Sequence, residues 1–184
     1  LVVGPWTHGG WGGSGQNLNG MDFGSATGPY FRNEIEFPFF EAYLRGDGKW
    51  EAPEARVFNT GANEWKSFAT WPPAELKPYT MYFQENNGLS DERPAQSNAS
   101  DAYDSDPANP IPYQPGVIRR RSSGYMNADQ RFLADRKDIL RYSTGALDSD
   151  ITVGGPVAAD LYISTTGTDC DLIAKVIDVE PDGT

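Results

Sequence analysis

Two hydrophobic rhythms run along this chain. Leu1-Val2-Val3 is an apolar, partly β-branched run that stops at Gly4-Pro5, which predicts a strand ending in a turn. Eight of the ten residues from Gly4 to Gly13 are glycine, proline or tryptophan, so a loop follows, and it continues to Gly28. From Pro29 to Gly46 the spacing turns helical. Phe31, Ile35, Phe39 and Tyr43 recur on one face, with Phe40 and Leu44 beside them. Pro29 suits a first turn and Gly46 a helix stop, while Pro38 predicts a kink or a division in two.

Residues 47–53 read as a linker, and beyond them the period falls to about two. Residues 56–68 predict a hairpin around Gly61-Ala62-Asn63, ended by Trp71-Pro72-Pro73. Residues 79–83 predict a strand closed by Asn86-Asn87-Gly88, and the polar, proline-rich stretch 90–116 predicts a surface excursion. Four further strands are expected at 138–142, 151–153, 158–165 and 172–179, and no helix after Glu54. The fold class expected is the tail of an α/β domain over residues 1–50, then an all-β sandwich over 51–184.

Composition narrows the function. The 184 residues carry a formal net charge of −11 and are 12% aromatic, with 20 glycines and 14 prolines, which suits short strands and many turns. So acidic a surface disfavours nucleic acid and anionic membranes as partners, because phosphates need a concentrated positive face. Arg119-Arg120-Arg121 is the one basic cluster and reads as a solvated or ion-paired turn. No stretch approaches the roughly 18 apolar residues of a membrane span. The single cysteine, Cys170, excludes an intrachain disulfide; it lies between Asp169 and Asp171, whose charge suppresses a thiolate, and reads as structural.

The chemistry concentrates at the only histidine, His8, in Gly4-Pro5-Trp6-Thr7-His8-Gly9-Gly10-Trp11. A strand followed by Gly-Pro delivers this imidazole to the rim of a sheet, and imidazole suits proton transfer near neutral pH. The glycines let the backbone pass close to a substrate, and Trp6 and Trp11 can exclude water. His8 is therefore the candidate catalytic residue. A nucleophile for it is not visible: Gly12-Gly13-Ser14-Gly15-Gln16 lacks the final glycine of a nucleophile elbow and follows no strand. In an α/β-hydrolase the order is Ser, acid, His, so a chain starting just before its histidine would have left both partners upstream. The missing methionine and the closing Glu180-Pro181-Asp182-Gly183-Thr184 turn fit a segment of something longer.

No pattern calls for a cofactor or a metal. Asp101, Asp104 and Asp106 form an acidic turn without the glycine and distal glutamate of a calcium loop. Asp169, Asp171, Asp178 and Asp182 read as strand-end acids, and Trp50, Trp65 and Trp71 as core or interface residues. A sugar-binding sandwich without any role for His8 is the competing reading.

Several stretches resemble, in order, the cocaine esterase and X-Pro dipeptidyl-peptidase superfamily. Gly4-Pro5-Trp6-Thr7-His8 looks like its catalytic-histidine segment, and Pro38-Phe39-Phe40-Glu41-Ala42-Tyr43-Leu44 like the helix that follows. Phe58-Asn59-Thr60-Gly61-Ala62-Asn63-Glu64-Trp65 resembles the start of its jelly roll. Ser105-Asp106-Pro107-Ala108-Asn109-Pro110, Asp129-Gln130-Arg131-Phe132, Arg136-Lys137-Asp138-Ile139-Leu140 and Lys175-Val176-Ile177-Asp178-Val179 resemble later landmarks. Two of these stretches are most similar to α-amino acid ester hydrolases and glutaryl-7-aminocephalosporanic acid acylases.

The resemblance implies an α/β-hydrolase tail over 1–50 and part of a jelly-roll domain over 51–184. It implies a serine hydrolase of α-amino acid esters and β-lactam acyl compounds, with X-Pro dipeptidyl-peptidase or general carboxylesterase as the alternative. It further implies a Ser-His-Asp triad of which His8 alone is here, an upstream acidic cluster for the substrate ammonium, and a homo-oligomer. On that reading the segment by itself is inactive.

Overall fold

A computed structural model describes residues 1–46, 50–96, 98–120 and 122–183. Asp47-Gly48-Lys49 of the expected linker, Arg121 of the arginine run and the terminal Thr184 lie outside the described residues.

Three strands form the main sheet, in the order β1 (Val2–Val3), β4 (Ala55–Asn59), β5 (Glu64–Phe68). β1 and β4 are parallel, with Val2 opposite Arg56 and Val3 opposite Val57, and Arg56 N–H donates to Leu1 O at 2.9 Å. A parallel pair needs a long crossover, and the helical segment 27–45 lies within it. β4 and β5 form the expected hairpin, from Ala55 opposite Phe68 to Asn59 opposite Glu64. Its turn places Asn63 at φ 53°, and Asn59 Oδ1 accepts the Ala62 N–H at 2.9 Å. Backbone hydrogen bonds thus join Val2–Val3 to the hairpin on the other side of the 47–53 linker.

The helical segment starts at Thr27, two residues before Pro29. It consists of α1 (Thr27–Phe31), a π stretch Arg32–Glu36, α2 (Phe37–Phe40) and a second π stretch Glu41–Arg45. Pro38 does not break it; the flanking backbone stays right-handed helical, at φ −65° for Glu36 and −61° for Phe37. The proline has no N–H for Glu34 O four residues back, and Arg56 Nη1 from β4 donates to that carbonyl at 3.3 Å. The segment ends where expected, at Gly46 with φ 72°. The apolar face is covered at one end only: Ile35 is buried and Phe31 half-buried, whereas Phe37, Phe40, Tyr43 and Leu44 are exposed among the described residues.

The core is aromatic. The Phe23 ring lies 5.7 Å from Phe58, Phe58 lies 5.5 Å from Trp65, and Tyr30 stacks on Trp65 at 5.0 Å. Trp6 meets Trp65 at 5.8 Å and Phe31 at 5.2 Å, so one aromatic cluster joins loop, helix and hairpin. The stretch expected to be all loop contains a further hairpin, β2 (Asn17–Leu18) with β3 (Met21–Asp22). It is tied to a distant segment by Asn19 Nδ2 donating to Ser123 O and Asn127 Oδ1, both at 2.9 Å, and Asn127 Nδ2 donating to Leu18 O.

Further on, β6 (Tyr82–Gln84) pairs antiparallel with β7 (Gly88–Ser90) around Asn86 and Asn87, both at positive φ. The four later strands are not formed. Residues 151–153, 158–165 and 172–179 carry no backbone ladder among the described residues, and 138–142 ends beside a single parallel bridge, Ser143 to Gly88. Alternation alone does not make a strand, since each needs a neighbour for its N–H and C=O groups. Ile173, Val176 and Tyr162 are accordingly exposed. The sheet-rich expectation holds at the level of small sheets, and among the described residues no jelly roll is assembled.

Phe23 is 1% exposed and packs on the hairpin through Phe58. Phe23→Ala is expected to cost about 3 kcal/mol of unfolding free energy, measured by denaturant titration of the protein containing this chain. Tyr79→Ala, at a side chain 56% exposed, should change it by less than about 0.5 kcal/mol.

Candidate functional site around His8

β1 ends at Val3, and the chain then turns through Gly4, with Trp6 N–H donating to Gly4 O at 2.9 Å. His8 follows, exposed, at a turn that Gly9 completes with φ 79°. The loop closes on itself: Gly10 N–H donates to Thr7 O, Gly12 N–H to Gly9 O and Gly13 N–H to Gly10 O, at 2.9–3.1 Å. Gly10–Gly12 is a single 3₁₀ turn. The imidazole stands edge-on to Trp11 with ring centres 6.0 Å apart. It opens on a shallow depression lined with Val3, Gly4, Thr7, Trp11 and Phe31. Neither ring nitrogen has a hydrogen-bond partner among the described residues.

Helical residues hold this loop from outside. Trp6 Nε1–H donates to Thr27 Oγ1 at 2.7 Å, and the Thr27 hydroxyl donates onward to Gly15 O. Arg32 Nη1 donates to Trp11 O and to Gly13 O, the latter at 2.9 Å. Gly28 N–H donates to Ser14 O at 2.9 Å. Gly28 must lack a side chain: a Cβ there would sit 2.3 Å from Gly13 O and 2.9 Å from Trp11 O. Gly15 has φ 60°, and a Cβ on it would strike the Thr27 hydroxyl at 2.5 Å. Thr27 and Arg32 were not legible as site residues, since a threonine and an arginine near a helix start carry no sequence signal for a loop contact.

The other candidates lie apart from His8. Ser14 contributes its carbonyl to the helix start and Arg119 and Arg120 are exposed. Cys170 is exposed, so no packing supports its reading as a structural residue. Trp65 is in the aromatic core, Trp71 packs on Phe68 at 5.2 Å, and Trp50 lies under the Arg56 guanidinium.

The acidic turn has structural partners. Asp106 Oδ1 accepts the Ala108 N–H at 2.9 Å, and Arg136 Nη2 donates to Asn109 O at 2.7 Å while also bonding Asp138. The hydrogen bond from Arg136 holds the Asp138 carboxyl below its ordinary range, as Arg131 does for Asp129. Among the described residues no cluster of three His, Cys, Asp or Glu is built for a metal, and no helix is long and apolar enough to cross a membrane. Asp101 accepts the Tyr142 O–H at 2.6 Å, and Tyr142 stacks on Phe83 at 4.0 Å. Burial first, then the Asp101 hydrogen bond, push the Tyr142 hydroxyl up to about 12.

The segment is a strand, a histidine turn and a crossover helix leading to a hairpin, and sequence comparison gives the family. The chain belongs to the cocaine esterase and X-Pro dipeptidyl-peptidase superfamily, residues 48–184 matching the family described as the X-Pro dipeptidyl-peptidase C-terminal non-catalytic domain. It is similar to the cocaine esterase of a Rhodococcus species, 34% identical over all of this chain and 33% of that protein. It is also similar to a putative serine esterase of Mycobacterium bovis, 29% identical over all of this chain and 28% of that protein. The chain thus spans about a third of the length of these relatives.

Two solved structures share the fold. One is an aminopeptidase from a marine-sediment Thaumarchaeota archaeon, with TM-score 0.69 and 36% identity over 79% of this chain and 25% of that one. The other is an α-amino acid ester hydrolase, with TM-score 0.68 and 30% identity over 78% and 25%.

Two outcomes follow from this geometry. Gly28→Ala should destabilise the protein by about 1–3 kcal/mol, read as a lowered thermal midpoint, because the backbone carbonyls of Gly13 and Trp11 must give way. The Tyr142 contribution to stability is fully present below the ordinary tyrosine pKa near 10 and is lost as pH rises through about 12. Spectrophotometric titration should show one late phenolate transition that Tyr142→Phe removes and Asp101→Asn moves to lower pH.

Proposed function

We propose that His8 is the catalytic histidine of a serine hydrolase that cleaves esters or amides through an acyl-enzyme. The observation that carries this is its place: just past the carboxyl end of a strand in a parallel pair, where ligands bind in open α/β sheets. The esterase and hydrolase names of the similar proteins support the same reaction class.

In this reading His8 accepts the proton of a serine hydroxyl as the serine attacks the scissile carbonyl. It then gives that proton to the leaving alcohol or amine, and finally takes one from the water that cleaves the acyl-enzyme. The serine and the acid that orients the ring come from parts of the protein outside these residues, consistent with a chain spanning a third of its relatives. Trp11 stands edge-on beside the base and Trp6 anchors the loop that carries it. In this reading residues 1–50 are the end of the catalytic α/β domain and 51–184 part of the C-terminal domain, in keeping with the family match over 48–184.

The substrate class we favour is acyl groups carrying an α-amine, as in α-amino acid esters and β-lactam acyl compounds. An α-amino acid ester hydrolase and an aminopeptidase among the similar structures support it. The cocaine esterase and mycobacterial esterase similarities favour a general carboxylesterase as second reading, with X-Pro dipeptidyl-peptidase beside it. Residues 48–184, matched to a domain described as non-catalytic, suit a binding role of their own, and carbohydrate binding is the third reading. A homo-oligomeric state belongs to the proposal through the family resemblance.

The test is the complete reading frame containing this chain, which should encode a Gly-x-Ser-x-Gly elbow ahead of Leu1. In the expressed protein, His8→Ala should lower ester hydrolysis by about 10⁴-fold or more, with an unchanged melting profile. A frame without the elbow, or a His8→Ala protein that still turns over, would sink the hydrolase reading.

A further inference from the structure

We infer that Arg32 is a positioning residue for His8: its guanidinium fixes the carboxyl side of the histidine loop to the helical segment. This rests on the reading of His8 as the catalytic base.

The loop after His8 is Gly9-Gly10-Trp11-Gly12-Gly13, four glycines in five positions. Glycine has the largest backbone freedom of any residue, so such a loop has little intrinsic preference for one shape. Its own restraints are three short-range hydrogen bonds, from Gly10, Gly12 and Gly13 N–H to carbonyls three residues back. These curl the loop locally but do not orient it against the sheet.

Orientation comes from outside. On the amino side, Trp6 is anchored through Nε1–H to Thr27 and by its ring to Phe31 and Trp65. On the carboxyl side, Arg32 Nη1 bonds both Trp11 O and Gly13 O. Trp11 is also the residue whose ring stands edge-on to the imidazole, so Arg32 reaches His8 through one intervening residue. Among the described residues Arg32 makes no ion pair, and Asn33 and Glu34 beside it face solvent. A half-buried cation spent on two backbone carbonyls is more than the helix needs for its own stability, since those carbonyls lie outside the helix.

The arrangement predicts a defect in turnover more than in binding. Displacement of a catalytic base by about 1 Å can cost on the order of 10²-fold. In the full-length protein, assayed with a p-nitrophenyl ester, Arg32→Ala should lower kcat by about 10- to 100-fold and leave KM within about 3-fold. Arg32→Lys, which keeps a single donor group, should regain part of the loss. Added guanidinium chloride at sub-denaturing concentration should raise the rate of Arg32→Ala and not that of His8→Ala.

Arg32→Ala within 2-fold of the parent, with His8→Ala inactive, would overturn this role and leave the hydrolase reading standing. A loss unrelieved by guanidinium and accompanied by a lowered melting midpoint would overturn it too, as the mark of a folding defect. A fully active His8→Ala protein would remove the reading on which it rests.

Discussion

Trp6 is the side chain on which the surroundings of His8 depend. It sits two residues before the histidine, and its ring touches the helix through Phe31, the hairpin through Trp65 and the loop through Trp11. Its one polar atom is satisfied by Thr27. An indole in this position does two things a smaller residue could not do together. It supplies enough apolar area to join three elements that share little else, and its N–H fixes the rotation of the group. The tight fit reaches its neighbours: a Cβ on Gly4 would lie 2.4 Å from the indole ring, and one on Gly15 2.5 Å from Nε1. The glycines around Trp6 are thus packing requirements as much as hinges.

The sheet gives this packing a frame. Parallel pairing of β1 with β4 brings residues more than fifty positions apart into register. Arg56 works on both sides of that frame. Its backbone continues the ladder to Leu1, and its guanidinium reaches the carbonyl that Pro38 leaves without a donor. The strand after the helix thus supplies a side-chain donor at the turn that contains the proline.

Local chemistry explains which features were legible beforehand. The strand end at Gly4-Pro5, the hairpin around Gly61-Ala62-Asn63 and the stop at Gly46 depend on a proline that fixes φ or on a glycine or asparagine that tolerates positive φ, and each forms where expected. The prominence of His8 was legible for the same reason, though not what holds it. Contacts such as Arg32 to Trp11 and Gly13, or Asn19 to Ser123 and Asn127, depend on which distant backbones meet, and no periodicity encodes that. The late strands failed for the complementary reason: Leu161, Ile163 and Ile173 have the alternation, but a ladder needs a second chain segment in place. The pairing of Val2–Val3 with Arg56–Val57 across position 50 was not legible, because it depends on which distant backbones meet.

The two π stretches have an evolutionary side. A π turn holds one more residue than the α turn it replaces, and each α-helical residue rotates the helix by about 100°. Loss of a single residue between Arg32 and Glu36 would let that stretch relax to α, and because the surplus residue is absorbed within its own turn, Phe39 and Tyr43 would keep roughly the same direction around the axis. Arg32 and the histidine loop, lying before the deletion, would stay where they are. Related chains that differ by one residue at this point can therefore keep both the base and the aromatic surface at the far end of the same helix in place.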